Sequence, residues 1–95
     1  MTKADLIAAL ASEMKFTSKE STAIINTILE TMTDALCRNE PVEIRGFGTF
    51  TIREYASYEA QNPKTGERIQ VKEKKLPFFK VGKDLKERVN TEQKN

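Results

Sequence analysis

The spacing of apolar residues changes period once, at Asn39-Glu40-Pro41, and this switch divides the chain into a helical part and a β part. Before it, Leu6, Ile7, Leu10 and Met14 recur at helical intervals, as do Ile25, Ile28, Leu29, Met32 and Leu36, with Ile24 at the border of the stripe. Thr2 with Asp5 and Thr17 with Glu20 head these stripes as an N-cap and its acidic first-turn partner do. The expectation is one helix from about Lys3 to Met14 and a longer one ending near Cys37, with Phe16 pinning the hairpin between them. After the switch, Val42 and Ile44 alternate with Glu43 and Arg45, then Phe50 and Ile52 with Thr49, Thr51 and Arg53. The tight Gly46-Phe47-Gly48 turn joins these runs into a hairpin with one apolar face.

The second strand is expected to run on through Glu54-Tyr55-Ala56-Ser57-Tyr58-Glu59 to a turn at Asn62-Pro63-Lys64-Thr65-Gly66, from which Arg68-Ile69-Gln70-Val71-Lys72 returns. Between Tyr55 and Arg68 the apolar residues are too few and too small to cover a sheet face, so this ribbon, about residues 55–73, projects from the body and is mobile when free. Leu76-Pro77-Phe78-Phe79 rejoins the core. Gly82 precedes a short helix with Leu85 and Val89 inward and Lys83, Lys86 and Arg88 outward, and residues 91–95 read as a frayed, disordered tail. The fold class is α+β, a single domain over residues 1–90.

Chain length points toward a partner, because 95 residues bury only about 60 to 65% of the surface the unfolded chain exposes. Charge is asymmetric. Residues 1–40 carry four basic and six acidic side chains, a net of −2, whereas the remaining 55 carry twelve basic and eight acidic, a net of +4. The single Cys37 allows no intramolecular disulfide, and the absence of histidine removes the commonest transition-metal ligand and general base. A reducing cytoplasm and a chain without metal or cofactor are expected. No apolar signal core follows Met1, and no run approaches the ~20 apolar residues that cross a bilayer, so no export and no membrane partner are expected.

Gly46-Phe47-Gly48 is not a dinucleotide fingerprint, since position 51 is threonine and the turn joins two strands. Its glycines instead let backbone N–H groups approach a phosphate with Arg45 alongside, although Arg45 shares strand parity with Glu43 and can pair with it. The carboxylates are dispersed among lysines, with no apolar surroundings to raise a pKa. No enzyme, catalytic residue or small-molecule substrate is expected. The remaining chemistry is electrostatic: Arg53, Lys64, Arg68, Lys72, Lys74, Lys75, Lys80, Lys83 and Lys86 occupy the ribbon and its base. Pro63 stands at the ribbon tip. A β-ribbon enters a DNA groove, and a proline ring, with no N–H to leave unpaired, can wedge into a base step and kink the duplex by about 20 to 90°. An ordinary turn is the plainer reading of the same residues.

Arg45-Gly46-Phe47-Gly48-Thr49-Phe50, then Asn62-Pro63-Lys64-Thr65-Gly66, then Leu76-Pro77-Phe78-Phe79-Lys80-Val81-Gly82-Lys83 with Leu85-Lys86, occur in the order seen in the bacterial HU and integration host factor family, which the chain resembles over residues 1 to about 90. The resemblance implies a two-helix N-terminal hairpin, a three-stranded antiparallel sheet with a long protruding arm, a short C-terminal helix and an intertwined dimer. It implies a nucleoid-associated architectural protein that binds double-stranded DNA and bends, wraps or compacts it with little sequence specificity. By matching positions, Pro63 is the intercalating wedge, Asn62 and Arg53 lie along the minor groove, and Arg45 and Gly46 approach the backbone. Lys3, Lys80, Lys83 and Lys86 hold flanking phosphates, and Lys64, Arg68, Lys72 and Lys75 complete the set. A homodimer ranks above a sequence-preferring integration-host-factor subunit paired with a paralogue. A scaffold dimer that binds protein or single-stranded nucleic acid, with weakened duplex affinity, is the further alternative.

The arm departs from the family pattern. Tyr55, Tyr58 and Gln61 stand where basic residues are common, Ala60 where glycine is common, Val81 replaces a usual proline, and Glu59 adds an acid. With fewer phosphates neutralised, at about −0.9 in log K against log[salt] for each, the salt dependence should be shallow and non-specific binding weak. Tyr55 and Tyr58 differ in strand parity, so without a bulge they face opposite sides, where they contact the groove or stiffen the ribbon.

Overall fold

The computed structural model describes residues 1–92. In chain order these form α1 (Lys3–Met14), α2 (Ser18–Cys37), β1 (Val42–Ile44), β2 (Gly48–Tyr55), β3 (Tyr58–Gln61), β4 (Arg68–Val71), β5 (Lys74–Val81) and α3 (Lys83–Glu92). Both expected caps are present and reciprocal. Thr2 Oγ1 accepts from the Asp5 N–H at 3.1 Å while Asp5 Oδ2 accepts from the Thr2 N–H at 2.8 Å, and Thr17 and Glu20 repeat the arrangement at 3.1 and 2.9 Å. α1 ends where Lys15 turns left-handed at φ 57°, which lets the Phe16 N–H reach back to the Ala11 carbonyl. Beyond α2, Asn39 takes φ 61°, a conformation asparagine tolerates better than most residues, and Pro41 prevents the helix from resuming. No described helix is both long and apolar enough to cross a membrane.

β1, β2 and β5 form an antiparallel sheet in the order β1-β2-β5, and β3 pairs with β4 as a separate two-stranded ribbon. Opposed residues in β2 and β5 run from Gly48↔Val81 to Tyr55↔Lys74, and in the ribbon from Tyr58↔Val71 to Gln61↔Arg68. The sum of paired numbers is constant across both segments, so no residue is inserted. The expected continuous strand is nonetheless interrupted at Ala56 and Ser57 and, on the return, at Lys72 and Glu73, where the ladder opens. Small Ala56 and Ser57 give this stretch no cross-strand packing to hold it closed.

The register defines two faces. Val42, Ile44, Phe50, Ile52, Pro77 and Phe79 share one of them, which meets α2 around a cavity lined by Thr33, Leu36, Cys37, Ile52, Lys75 and Pro77. Phe79 sits with its ring centre 4.7 Å from Phe50 and 5.5 Å from Phe47. Gly48 is buried under it, and a methyl group there would stand 2.5 Å from the Phe79 ring.

A lone protomer leaves this core unfinished. Ile25 is the one buried hydrophobic residue among those described, while Ile28, Leu29 and Phe47 are 50, 42 and 44% exposed. Val89, expected inward, is 48% exposed, because none of the described elements covers its side of α3. The radius of gyration is 19.3 Å, against about 12 Å for a compact chain of this length. Thr91 and Glu92 continue α3 rather than beginning a frayed tail, since their backbone still completes helical turns; the rest of the expected tail lies outside the described residues.

Candidate nucleic-acid interface

The second face of the three-stranded sheet points away from α2. In register it presents Thr49, Thr51, Arg53 and Tyr55 from β2, and Lys74, Leu76, Phe78 and Lys80 from β5. β2 and β5 add no carboxylate to it, because strand alternation sends Glu54 to the helix side; its acid comes from β1, where Glu43 opposes Thr49 at the end away from the ribbon. The Arg53 guanidinium lies 3.5 Å above the Phe78 ring centre, and Lys74 Nζ is 6.0 Å from that of Tyr55. Stacking of this kind holds a planar cation flat while leaving its outer side free.

The same parity separates Lys75 from the other expected contacts. It emerges on the helix side, 3.8 Å from Glu54. On the ribbon Arg68 is likewise paired, 3.7 Å from Glu59, and both side chains are largely exposed. Lys72 falls in the open stretch between the two ladders. Tyr55 ends β2 on the open face, and beyond the break at Ala56 and Ser57 Tyr58 shares one side of the ribbon with Ala60, Ile69 and Val71.

The tip is closed by its own hydrogen bonds. Asn62 Oδ1 accepts from the Lys64 N–H at 2.9 Å, the Asn62 carbonyl from the Gly66 N–H at 2.7 Å, and the Glu67 carbonyl from the Asn62 N–H at 2.8 Å. Gly66 takes φ 75°, and its carbonyl accepts from the Gln61 side-chain amide at 3.1 Å. Pro63, which has no N–H to donate, is carried at the apex of this turn.

At the other end of the sheet, the Gly82 N–H donates to the Phe47 carbonyl at 2.8 Å. That bond ties the start of α3, with Lys83 and Lys86, to the β1–β2 turn. Arg45 lies in the turn rather than in a strand, and no ion pair joins it to Glu43 among the described residues. Gly46, at φ 84°, has Asp84 Oδ2 3.5 Å from where a Cβ would stand, so an anion approaching its backbone meets a carboxylate. Lys3 is carried by α1, which packs on α2. Sequence reading missed Leu76 and Phe78 as parts of the open face; their parity with Arg53 was the available signal, but it needs the register.

Residues 1–90 match the family of bacterial DNA-binding proteins. The chain belongs to that family. It is 44% identical over 91 residues to the integration host factor subunit beta of Burkholderia mallei strain SAVP1, covering 95% of this chain and 85% of the relative. Its fold is similar to that of Anabaena HU cocrystallised with DNA, with a TM-score of 0.83 at 35% identity over 94% of this chain and 97% of that one. It is also similar to HU from Thermotoga maritima, with a TM-score of 0.65 at 35% identity over 94% of this chain and 98% of the other. The members are DNA-binding architectural proteins of the HU and integration host factor type, and the α+β arrangement of helical hairpin, antiparallel sheet, ribbon arm and C-terminal helix is theirs.

Proposed function

We propose that two copies of this chain join through the apolar faces left uncovered in the protomer and bind double-stranded DNA across the open, net-cationic sheet faces, bending it without a catalytic step or cofactor. The observation that carries this reading is the pairing of that cationic face with a ribbon whose apex is Pro63. Phosphates attract the body, where Lys80, Lys83 and Lys86 stand beside the sheet, and Lys3 joins them from α1. Arg53 and Asn62 follow the minor groove, and the Pro63 ring enters a base step. Unstacking there costs a few kcal/mol, which the longer contact along the bent duplex offsets. Arg45 and Gly46 approach the backbone with Asp84 opposing them. Lys64 and Lys72 add contacts, and Arg68 and Lys75 do so to the extent that phosphate displaces their carboxylate partners. Such a protein works in the cytoplasm, on the nucleoid.

Fluorescence anisotropy of a labelled ~30 bp duplex, titrated with wild type and Pro63→Ala over a salt series, tests the reading. Salt-sensitive binding is expected, with nicked or pre-bent probes losing less affinity on substitution than intact ones. No binding to any duplex at low salt would sink it. A second reading rests on the 44% identity to a protein named as a beta subunit: a sequence-preferring half of a heterodimer. Sedimentation of the chain alone separates the two, since a two-chain mass supports the homodimer.

A further inference from the structure

Three large apolar side chains on the open face have no role in the core. Phe78, Leu76 and Tyr55 are 37, 44 and 43% exposed; register rather than exposure sets them apart from Phe79, which is 36% exposed but turns with Phe50 and Ile52 to the helix side and packs on Phe50 and Phe47. They are interleaved with cations: Arg53 opposes Leu76 in register and stacks on Phe78, and Lys74 opposes Tyr55. The row extends roughly 13 Å along the strand, at about 3.3 Å per residue, to the point where the ribbon leaves the body. A protein partner of ordinary composition, or a second copy laid on this face, would bury Arg53, Lys74 and Lys80 with only Glu43, across β2 from Lys80 at one end of the face, to answer them. The occupant must be anionic and must also offer apolar surface between its charges. A nucleic-acid backbone meets both demands, since deoxyribose rings alternate with phosphates.

We propose that Phe78, Leu76 and Tyr55 form an apolar strip that packs against the deoxyribose walls of the minor groove at the root of each arm, while Arg53, Lys74 and Lys80 take the flanking phosphates. The inference rests on the DNA-binding reading and adds that part of the affinity comes from contacts that release no counterions. The two sources differ in salt dependence, because phosphate neutralisation sets the slope of log K against log[salt] and apolar burial shifts log K alone.

The test measures duplex affinity across a salt series for wild type, Phe78→Thr, Phe78→Leu, Arg53→Gln and Lys80→Gln, with circular dichroism and dimer mass confirming the fold of each. Phe78→Thr removes roughly 50 Å² of apolar contact from each of the two arms and is expected to weaken binding of the dimer about 70-fold at every salt concentration, with an unchanged slope. Phe78→Leu keeps apolar bulk and should stay within about threefold of wild type. Lys80→Gln should flatten the slope, by about 0.9 for each phosphate it no longer neutralises. Wild-type affinity in Phe78→Thr, alongside a flattened Lys80→Gln slope, overturns the strip and leaves DNA binding intact. Equal losses in Phe78→Leu and Phe78→Thr, or a slope in Phe78→Thr that falls in step with Arg53→Gln, overturn it too, by reducing the ring to a support for Arg53. A wild type that binds no duplex at low salt overturns both readings.

Discussion

Replacing Glu59 with glutamine should make the protein bind DNA more tightly at low salt. Glu59 Oε2 lies 3.7 Å from the Arg68 guanidinium on the ribbon, with the two side chains 64 and 84% exposed. So exposed a pair contributes only about 0–1 kcal/mol to folding, and the melting temperature should barely move. Its effect on binding is larger, because a paired arginine releases its carboxylate before it neutralises a phosphate. One Arg68 is freed in each protomer, so a dimer neutralises two more phosphates and the slope of log K against log[salt] steepens by up to about 1.8. Across a fourfold dilution of salt, the variant then gains about twelvefold more affinity than wild type does. Anisotropy titrations of one duplex at matched salt concentrations read this directly. Parallel lines for the two proteins would refute the reasoning, because Arg68 would then be reaching phosphate despite Glu59 or not at all.

Gly48→Ala should be strongly destabilising: its methyl would stand 2.5 Å from the Phe79 ring and 2.6 Å from the Lys80 carbonyl oxygen, and backbone cannot swing aside as a flexible side chain can. Overpacking costs about 1–3 kcal/mol, read as a lower urea midpoint, and an unmoved midpoint would show that the strands separate freely there. Thr17→Ala removes the acceptor for the Glu20 N–H and should cost about 1 kcal/mol in the same assay, with Thr17→Ser restoring most of it. The hydrogen bonds from the Thr17 backbone and then its hydroxyl hold the Glu20 carboxyl below its ordinary value. Its stabilising contribution is therefore full at neutral pH and is lost as pH falls through the depressed folded-state value. Urea midpoints of Glu20→Gln should accordingly fall less than wild type between about pH 4.5 and pH 3, and identical acid profiles would exclude the cap as their source.

The features legible in the sequence were those that neighbouring residues decide. Two capping boxes, a helix stop and a change of period are local, and they placed α1, α2 and the first hairpin. The Pro63 tip was equally legible, because Asn62 and Gly66 supply the side-chain acceptor and the left-handed backbone that such a turn needs. What escaped depends on cross-strand register. Until Arg53 is known to oppose Leu76, nothing in the order of residues says that Phe78 lies beneath its guanidinium, or that Lys75 leaves the open face for Glu54. The approach of Asp84 to Gly46 joins residues 38 apart and follows from the tie between Gly82 and Phe47. The exposure of Val89 had a different cause: helical periodicity marks an apolar face without saying whether its cover belongs to the same chain.

The distribution of charge gives the two parts of the β region separate tasks. From Glu54 to Lys75 the ribbon carries five basic and four acidic residues, a net of +1, and two of those acids are paired with its cations. The open face of the body carries Arg53, Lys74 and Lys80 against the single carboxylate of Glu43, Lys74 standing at the junction of the two. Long-range attraction to a polyanion therefore acts mainly on the body, which sets the encounter and the orientation of the duplex. A nearly neutral ribbon adds little to that pull, and on the proposed reading it contributes at short range, through Pro63 and the tyrosines. The expected sequence is docking on the sheet followed by closure of the ribbons, with the open ladder at Ala56, Ser57, Lys72 and Glu73 as the place that bends. Salt should then act chiefly on the association rate, and Pro63→Ala chiefly on dissociation, because the wedge engages only after the body has bound.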